Sequence, residues 1–196
     1  MKYMMFIDSN NFYKNAEALL NISKPKFRWA DLVIGIRNKI GETIPEGWFV
    51  CANYYTALSD RADNPVKYDA QVRFIDALRR VPFIRVVVGY LMKKQRDTAI
   101  PIDINDPNTY IHVEKNTDVN LSNDVIENVL RGNIEIVIFV AADGDYAGTV
   151  NKVKEYGAVC YLVLPLGAKA QMMKSLIGIN NVIYVDDAFL TQYLVP

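Results

Sequence analysis

Short apolar runs alternate with amphipathic stretches along the whole chain. Residues 2–8, KYMMFID, form a brief apolar run that stops on Asp8, as a buried strand would. Over 10–21, Phe12, Ala16, Leu19 and Leu20 recur at helical spacing. A second helix is predicted over 29–41, closed by Gly41. Residues 47–58, GWFVCANYYTAL, are rich in β-branched and aromatic side chains and predict a strand. A polar loop containing Pro65 then leads into a helix over 67–80 with Phe74, Ile75 and Leu78 on its apolar face. A further strand is expected over 81–94. The stretch that follows carries Pro101 and Pro107 and reads as a loop. TYIHVEK, 109–115, alternates and is expected to fold back on the preceding strand as a hairpin.

The remainder repeats one unit. Helices are predicted over 118–132, 145–157 (stopped by Gly157), 168–178 and 187–194. Strands are predicted between them at 134–142, 158–164 and 181–185. Alternating strands and helices with wholly apolar central strands imply a parallel sheet covered on both faces. The expected fold is therefore a three-layer α/β/α domain over 1–196. Its central sheet is mainly parallel and Rossmann-like, with a hairpin or loop excursion around 84–115.

Composition narrows the chemistry. The chain has 196 residues and 51% hydrophobic content, enough for one sizeable core. Lys plus Arg and Asp plus Glu number 22 each, so any nucleic-acid binding must rest on a local basic patch. Cys51 and Cys160 are distant and sit in apolar runs, as reduced core residues of a cytoplasmic protein would. The opening MKYMMFID is too short for a signal peptide, and no membrane association is expected. One histidine, His112, leaves no room for a His-rich metal site or a Ser-His-Asp triad.

In an open parallel sheet, strand C-termini share one edge, and ligands bind there. FIDSNN (6–11) and FVAADGDY (139–146) each end an apolar run in aspartate, so Asp8 and Asp143 converge if their strands are neighbours. Asp145 lies where the next helix begins, and Asp118 opens the helix before the second of these strands. Each could instead be a helix cap or turn residue. Several carboxylates on one edge repel one another, and a divalent cation relieves that conflict. Hard oxygen ligands without thiolates favour Mg2+ or Mn2+. No G-x-G-x-x-G or P-loop follows the first strand, which disfavours a dinucleotide or NTP site. The DGD tripeptide stands late in the chain, which disfavours a D-x-D phosphotransferase.

Three of these segments, in order and in spacing, resemble the NYN domains, a branch of the PIN-like metal-dependent ribonucleases. Phe6, Ile7, Asp8 and Asn11 match an opening F-I-D-x-x-N. Lys115, Asp118, Val119, Leu121 and Asp124 match a middle K-x-x-D-V-x-L-x-x-D. Ala141, Ala142, Asp143, Gly144, Asp145 and Tyr146 occupy a later S-G-D-x-D-F. Looser matches are Ser175, Leu176, Asp187 and Phe189. Three departures stand out: Ser9 for a common glycine, Ala141 for a hydroxyl residue and Tyr146 for Phe.

The resemblance implies an endoribonuclease dependent on Mg2+ or Mn2+. Asp8, Asp118, Asp143 and Asp145 would be both its metal ligands and its catalytic residues. Asn11 would orient the substrate phosphate or a water. Asp124 would support the site from behind or face solvent. RNA, single-stranded or structured, is the expected partner, with Lys115, Lys93, Lys94 and Arg96 as candidate contacts. Arg61 and Lys67 flank the same edge, Tyr54 and Tyr55 could offer a stacking face, and a homodimer is an allowed assembly. The alternative is a non-catalytic RNA- or protein-binding NYN-like module with a weakened metal site, suggested by Ala141–Ala142.

Overall fold

The computed structural model describes all residues from Met1 to Pro196. Seven strands form one sheet: β1 (Lys2–Asp8), β2 (Trp48–Leu58), β3 (Ile84–Gln95), β4 (Tyr110–Lys115), β5 (Ile136–Val140), β6 (Val159–Pro165) and β7 (Val182–Val185). Their order across the sheet is β4-β3-β2-β1-β5-β6-β7. Every pairing is parallel except β3 with β4. The helices are α1 (Ser9–Leu20), α2 (Trp29–Thr43), α3 (Pro65–Arg79), α4 (Thr117–Leu130), α5 (Ala147–Glu155), α6 (Gln171–Ile177) and α7 (Asp187–Thr191). None is long and apolar enough to cross a membrane.

β1 and β5 are neighbours at the middle of the sheet, as their apolar sequences require. Every residue of β5, and every residue of β1 after Lys2, is buried. Alternate side chains feed two cores, one on each face. Met5 and Ile7 pack with α1 and α2 through Phe12, Leu32 and Ile36. Phe6 and Phe139 pack on the other face with α4, α5 and α6 through Leu121, Val150 and Met173. Both cysteines are free and buried.

The expected hairpin is present. β3 runs on to Gln95 and pairs antiparallel with β4, from Tyr90↔Lys115 to Gln95↔Tyr110. The loop between them is held by Asx turns at Asp97, Asp103 and Asp106. Two local expectations change. Gly41 lies inside α2, which continues to Thr43, because neighbouring turns carry the helix past it. Phe74 is 37% exposed, while Ile75 and Leu78 hold α3 to the sheet.

The hairpin determines where α4 starts. Asn116, with φ 71°, takes the left-handed conformation that Asn tolerates, and turns the chain from β4 into α4. This turn lies against β3 at Gly89, where a Cβ would stand 2.5 Å from the Lys115 carbonyl oxygen and 2.7 Å from Thr117 Oγ1. Gly89→Ala is therefore expected to push residues 115–118 off the sheet. A cost of about 1–3 kcal/mol in chemical denaturation is expected, the usual scale for forced overpacking. An unchanged denaturation midpoint would mean that the turn yields freely.

Candidate metal centre

The ends of β1 and β5 do meet, and Asn11 ties them. Asp8 leaves β1 in an extended conformation and caps α1, its Oδ1 accepting from the Asn11 N–H at 3.0 Å. Asn11 Oδ1 in turn accepts from the Ala142 N–H at 2.7 Å, across 131 positions of sequence. The Asn11 carboxamide oxygen is therefore a latch between the two strand ends.

The acidic groups gather round a phenol. Tyr146, fully buried and packed over Phe139, places its hydroxyl 3.0 Å from Asp8 Oδ2 and 2.9 Å from Asp118 Oδ1. One O–H carries one proton, so it can donate to only one of these oxygens at a time. Burial, with the charges of Asp8 and Asp118, pushes the phenol's pKa upward and keeps it a donor. Burial also lifts the Asp8 carboxyl from 3.8 to about 6. The Asn11 N–H and the Tyr146 hydroxyl counter that rise, while Asp118 and Glu114 add to it. Tyr146, which stands where the resemblance has Phe, and Glu114, to which the sequence gives no role, both belong to this site. Glu114 accepts from Asn10 Nδ2 at 2.9 Å and from Thr117 Oγ1 at 2.5 Å, and its charge reaches Asp8. Its place in the strand motif offered no signal, because the hairpin alone brings it beside α1.

The other expected ligands stand apart. Asp143 follows β5 and spends Oδ1 on the Asp145 N–H at 3.0 Å, capping a single 3-10 turn (Gly144–Tyr146). Asp145 is exposed, and its carboxylate makes no hydrogen bond or ion pair. No three His, Cys, Asp or Glu side chains are grouped to hold an ion. Asp8 and Asp118, sharing one phenolic proton, are thus the convergent pair. Two carboxylates suit Mg2+, which commonly takes one or two from protein and fills its shell with water and phosphate.

Several candidate contacts serve the fold instead. Asp124 Oδ2 accepts from the Tyr55 hydroxyl at 2.7 Å, pinning β2 to α4. Tyr54 and Tyr55 are both buried, so neither presents a stacking face; Tyr54 packs edge-on to Trp29. Lys93 is paired with Asp63 at 2.5 Å and lies 3.7 Å from Asp60. His112 approaches Asp63 from the neighbouring strand at 2.7 Å. Arg61 pairs with Asp69 at 3.7 Å. Lys94, Arg96, Lys115 and Lys67 are exposed and form no ion pair. Ala141 is buried in the core, where it offers the site no hydroxyl.

Comparison with known proteins agrees with this architecture. The family model described as NYN domain matches residues 2–184. A crystal structure of a protein of unknown function, VPA0982 from Vibrio parahaemolyticus RIMD 2210633, superposes with a TM-score of 0.62 at 18% identity, covering 99% of this chain and 96% of that one. That likeness concerns the fold. Among proteins with curated descriptions, none matches the chain.

Proposed function

Since the chain belongs to the NYN domain family, we propose that it is a metal-dependent endoribonuclease hydrolysing RNA phosphodiester bonds at the C-terminal edge of the sheet. The observation that carries this reading is the pairing of Asp8 and Asp118 on one phenol hydroxyl, where the anionic charge exceeds what the protein's own donors satisfy. Asp8 and Asp118 would hold Mg2+ or Mn2+, with Asp143 and Asp145 completing the acidic edge. Bound there, the ion would supply Lewis-acid polarisation of the phosphodiester and a more acidic water nucleophile. Asp145, exposed and with its carboxylate unbonded, would be the free base of this edge. Tyr146 keeps the orientation of the two ligands, and the Asn11 latch holds the strand ends in register. Lys94, Arg96 and Lys115 are the cations available to phosphates, whereas Lys93 is committed to Asp63.

Purified protein incubated with an unstructured RNA is expected to cleave it in Mn2+ or Mg2+ and to stop in EDTA. Calcium, a weaker Lewis acid that tolerates loose oxygen coordination, is expected to bind without supporting turnover. Undiminished cleavage in EDTA would remove the metal from the reaction. Absence of cleavage together with no metal-induced rise in melting temperature would favour a non-catalytic binding module. That second reading draws on the lack of a third convergent carboxylate.

A further inference from the structure

A cleft of about 340 Å3 opens next to the residues that follow Asp8, between α1, α3 and strands β2 and β3. It begins at Ser9 and Asn10, the residues directly after Asp8, and one wall is Glu114, whose charge reaches Asp8. Its volume lies at the lower end of the range for small-molecule pockets, the scale of a single nucleotide. Trp29, Tyr54 and Leu91 supply apolar lining, while Tyr13 and Lys67 add polar groups.

Two features give the cleft a chemical preference. Ser59 lines it, is 7% exposed, and its Oγ is the one buried side-chain polar atom in the molecule without a hydrogen-bond partner. Such a group costs stability unless something bonds to it. Gln71 is the second. Its Oε1 accepts from the Ser59 N–H at 2.9 Å, which leaves the amide Nε2 as its remaining functional end, a donor. With the Lys67 ammonium, which forms no ion pair, Ser59 and Gln71 make a donor-rich wall opposite the Glu114 carboxylate.

We propose that this cleft is a subsite for the base of a nucleotide adjoining the scissile phosphate, selecting bases that present carbonyl oxygens (uracil, with two, above all) over adenine, which has none. The inference rests on the ribonuclease reading for the identity of its ligand. Gln71 Nε2 and the Ser59 hydroxyl donate to base carbonyls, and Lys67 meets the neighbouring phosphate.

The test is fluorescence anisotropy with labelled penta-uridylate and penta-adenylate in Ca2+. It is run on wild type, Ser59→Ala and Gln71→Glu, with manganese-dependent cleavage of both oligonucleotides measured in parallel. Gln71→Glu keeps the acceptor for the Ser59 N–H, removes the donor and adds a negative charge, so its general repulsion of RNA is read from the penta-adenylate arm. Wild type is expected to bind penta-uridylate more tightly than penta-adenylate. Each variant should lose about tenfold in uridylate affinity, the worth of one hydrogen bond, and with it the preference. Ser59→Ala should meanwhile melt no lower than wild type, because it removes an unpaired hydroxyl. Equal affinities for the two oligonucleotides in wild type, wild-type affinity in both variants, or no binding of either oligonucleotide would overturn the subsite. Cleavage without base preference sinks the subsite and leaves the ribonuclease reading standing. Uridylate preference lost in both variants, with no manganese-dependent cleavage, keeps the subsite and sinks catalysis.

Discussion

Asp8→Asn is expected to abolish metal-dependent cleavage and, in metal-free buffer at pH 7.5, to raise the melting temperature. The two effects share one cause. Asp8 is buried at the end of a central strand, and its carboxyl is lifted from 3.8 to about 6, chiefly by burial. The folded protein therefore binds this proton more tightly than the unfolded chain. The associated stabilisation is fully present below about pH 4 and is lost as pH rises through 6. At neutral pH the ionised group then costs on the order of 3 kcal/mol, about two pKa units.

Asparagine removes that cost and keeps the local bonds. Its Oδ1 can still accept from the Asn11 N–H, and its Nδ2 can donate to the Tyr146 oxygen while Tyr146 donates to Asp118. A rise of about 6–12 °C is expected at pH 7.5, shrinking toward zero near pH 4. Activity should fall by more than the ~100-fold typical of losing an outer hydrogen-bond partner of a metal ligand. Matched melting curves at pH 4 and pH 7.5, with cleavage assays alongside, check both. A mutant that is less stable at both pH values would show Asp8 to be a structural cap whose charge is favourable.

Tyr146→Phe carries the second large effect. The ring and its stacking on Phe139 would survive, and only the hydroxyl between Asp8 and Asp118 would go. Hydrogen bonds to charged groups are worth about 1.5–3 kcal/mol, so the metal-free protein should lose stability on that scale. The hydroxyl also lowers the Asp8 pKa, so its removal raises the pH at which Asp8 ionises. Manganese affinity, read by calorimetry, should drop about 10- to 100-fold near neutrality, and its pH midpoint should move upward. A purely structural hydroxyl would leave that midpoint where it was. Intact affinity with an unshifted midpoint would therefore remove Tyr146 from the positioning of the ligands.

The β/α alternation, the central pairing of β1 with β5 and the hairpin at β3 and β4 were legible in the sequence. Each follows from a local pattern: continuous apolar runs for strands buried on both faces, period-two alternation in 109–115, and helical spacing between them. The strand pattern led to the expectation that Asp8 and Asp143 end on one edge, since parallel strands end together, whereas Asp118, at the start of α4, comes near that edge only because the antiparallel hairpin returns the chain. What those side chains do there was decided by contacts between distant residues. Asn11 spends its oxygen on Ala142, Tyr146 lies between Asp8 and Asp118, and Lys93 is bound to Asp63 across the hairpin. Tyr54 and Tyr55 project to opposite faces of β2 and are buried by what packs there, Tyr54 against Trp29 of α2 and Tyr55 against α4, where it bonds Asp124. Periodicity reports which face a residue occupies, and it carries no information about the partner that its polar atom finds. That partner is chosen when the sheet closes and hydrogen-bonding groups taken out of water must be matched with whatever the fold has brought within 3 Å of them.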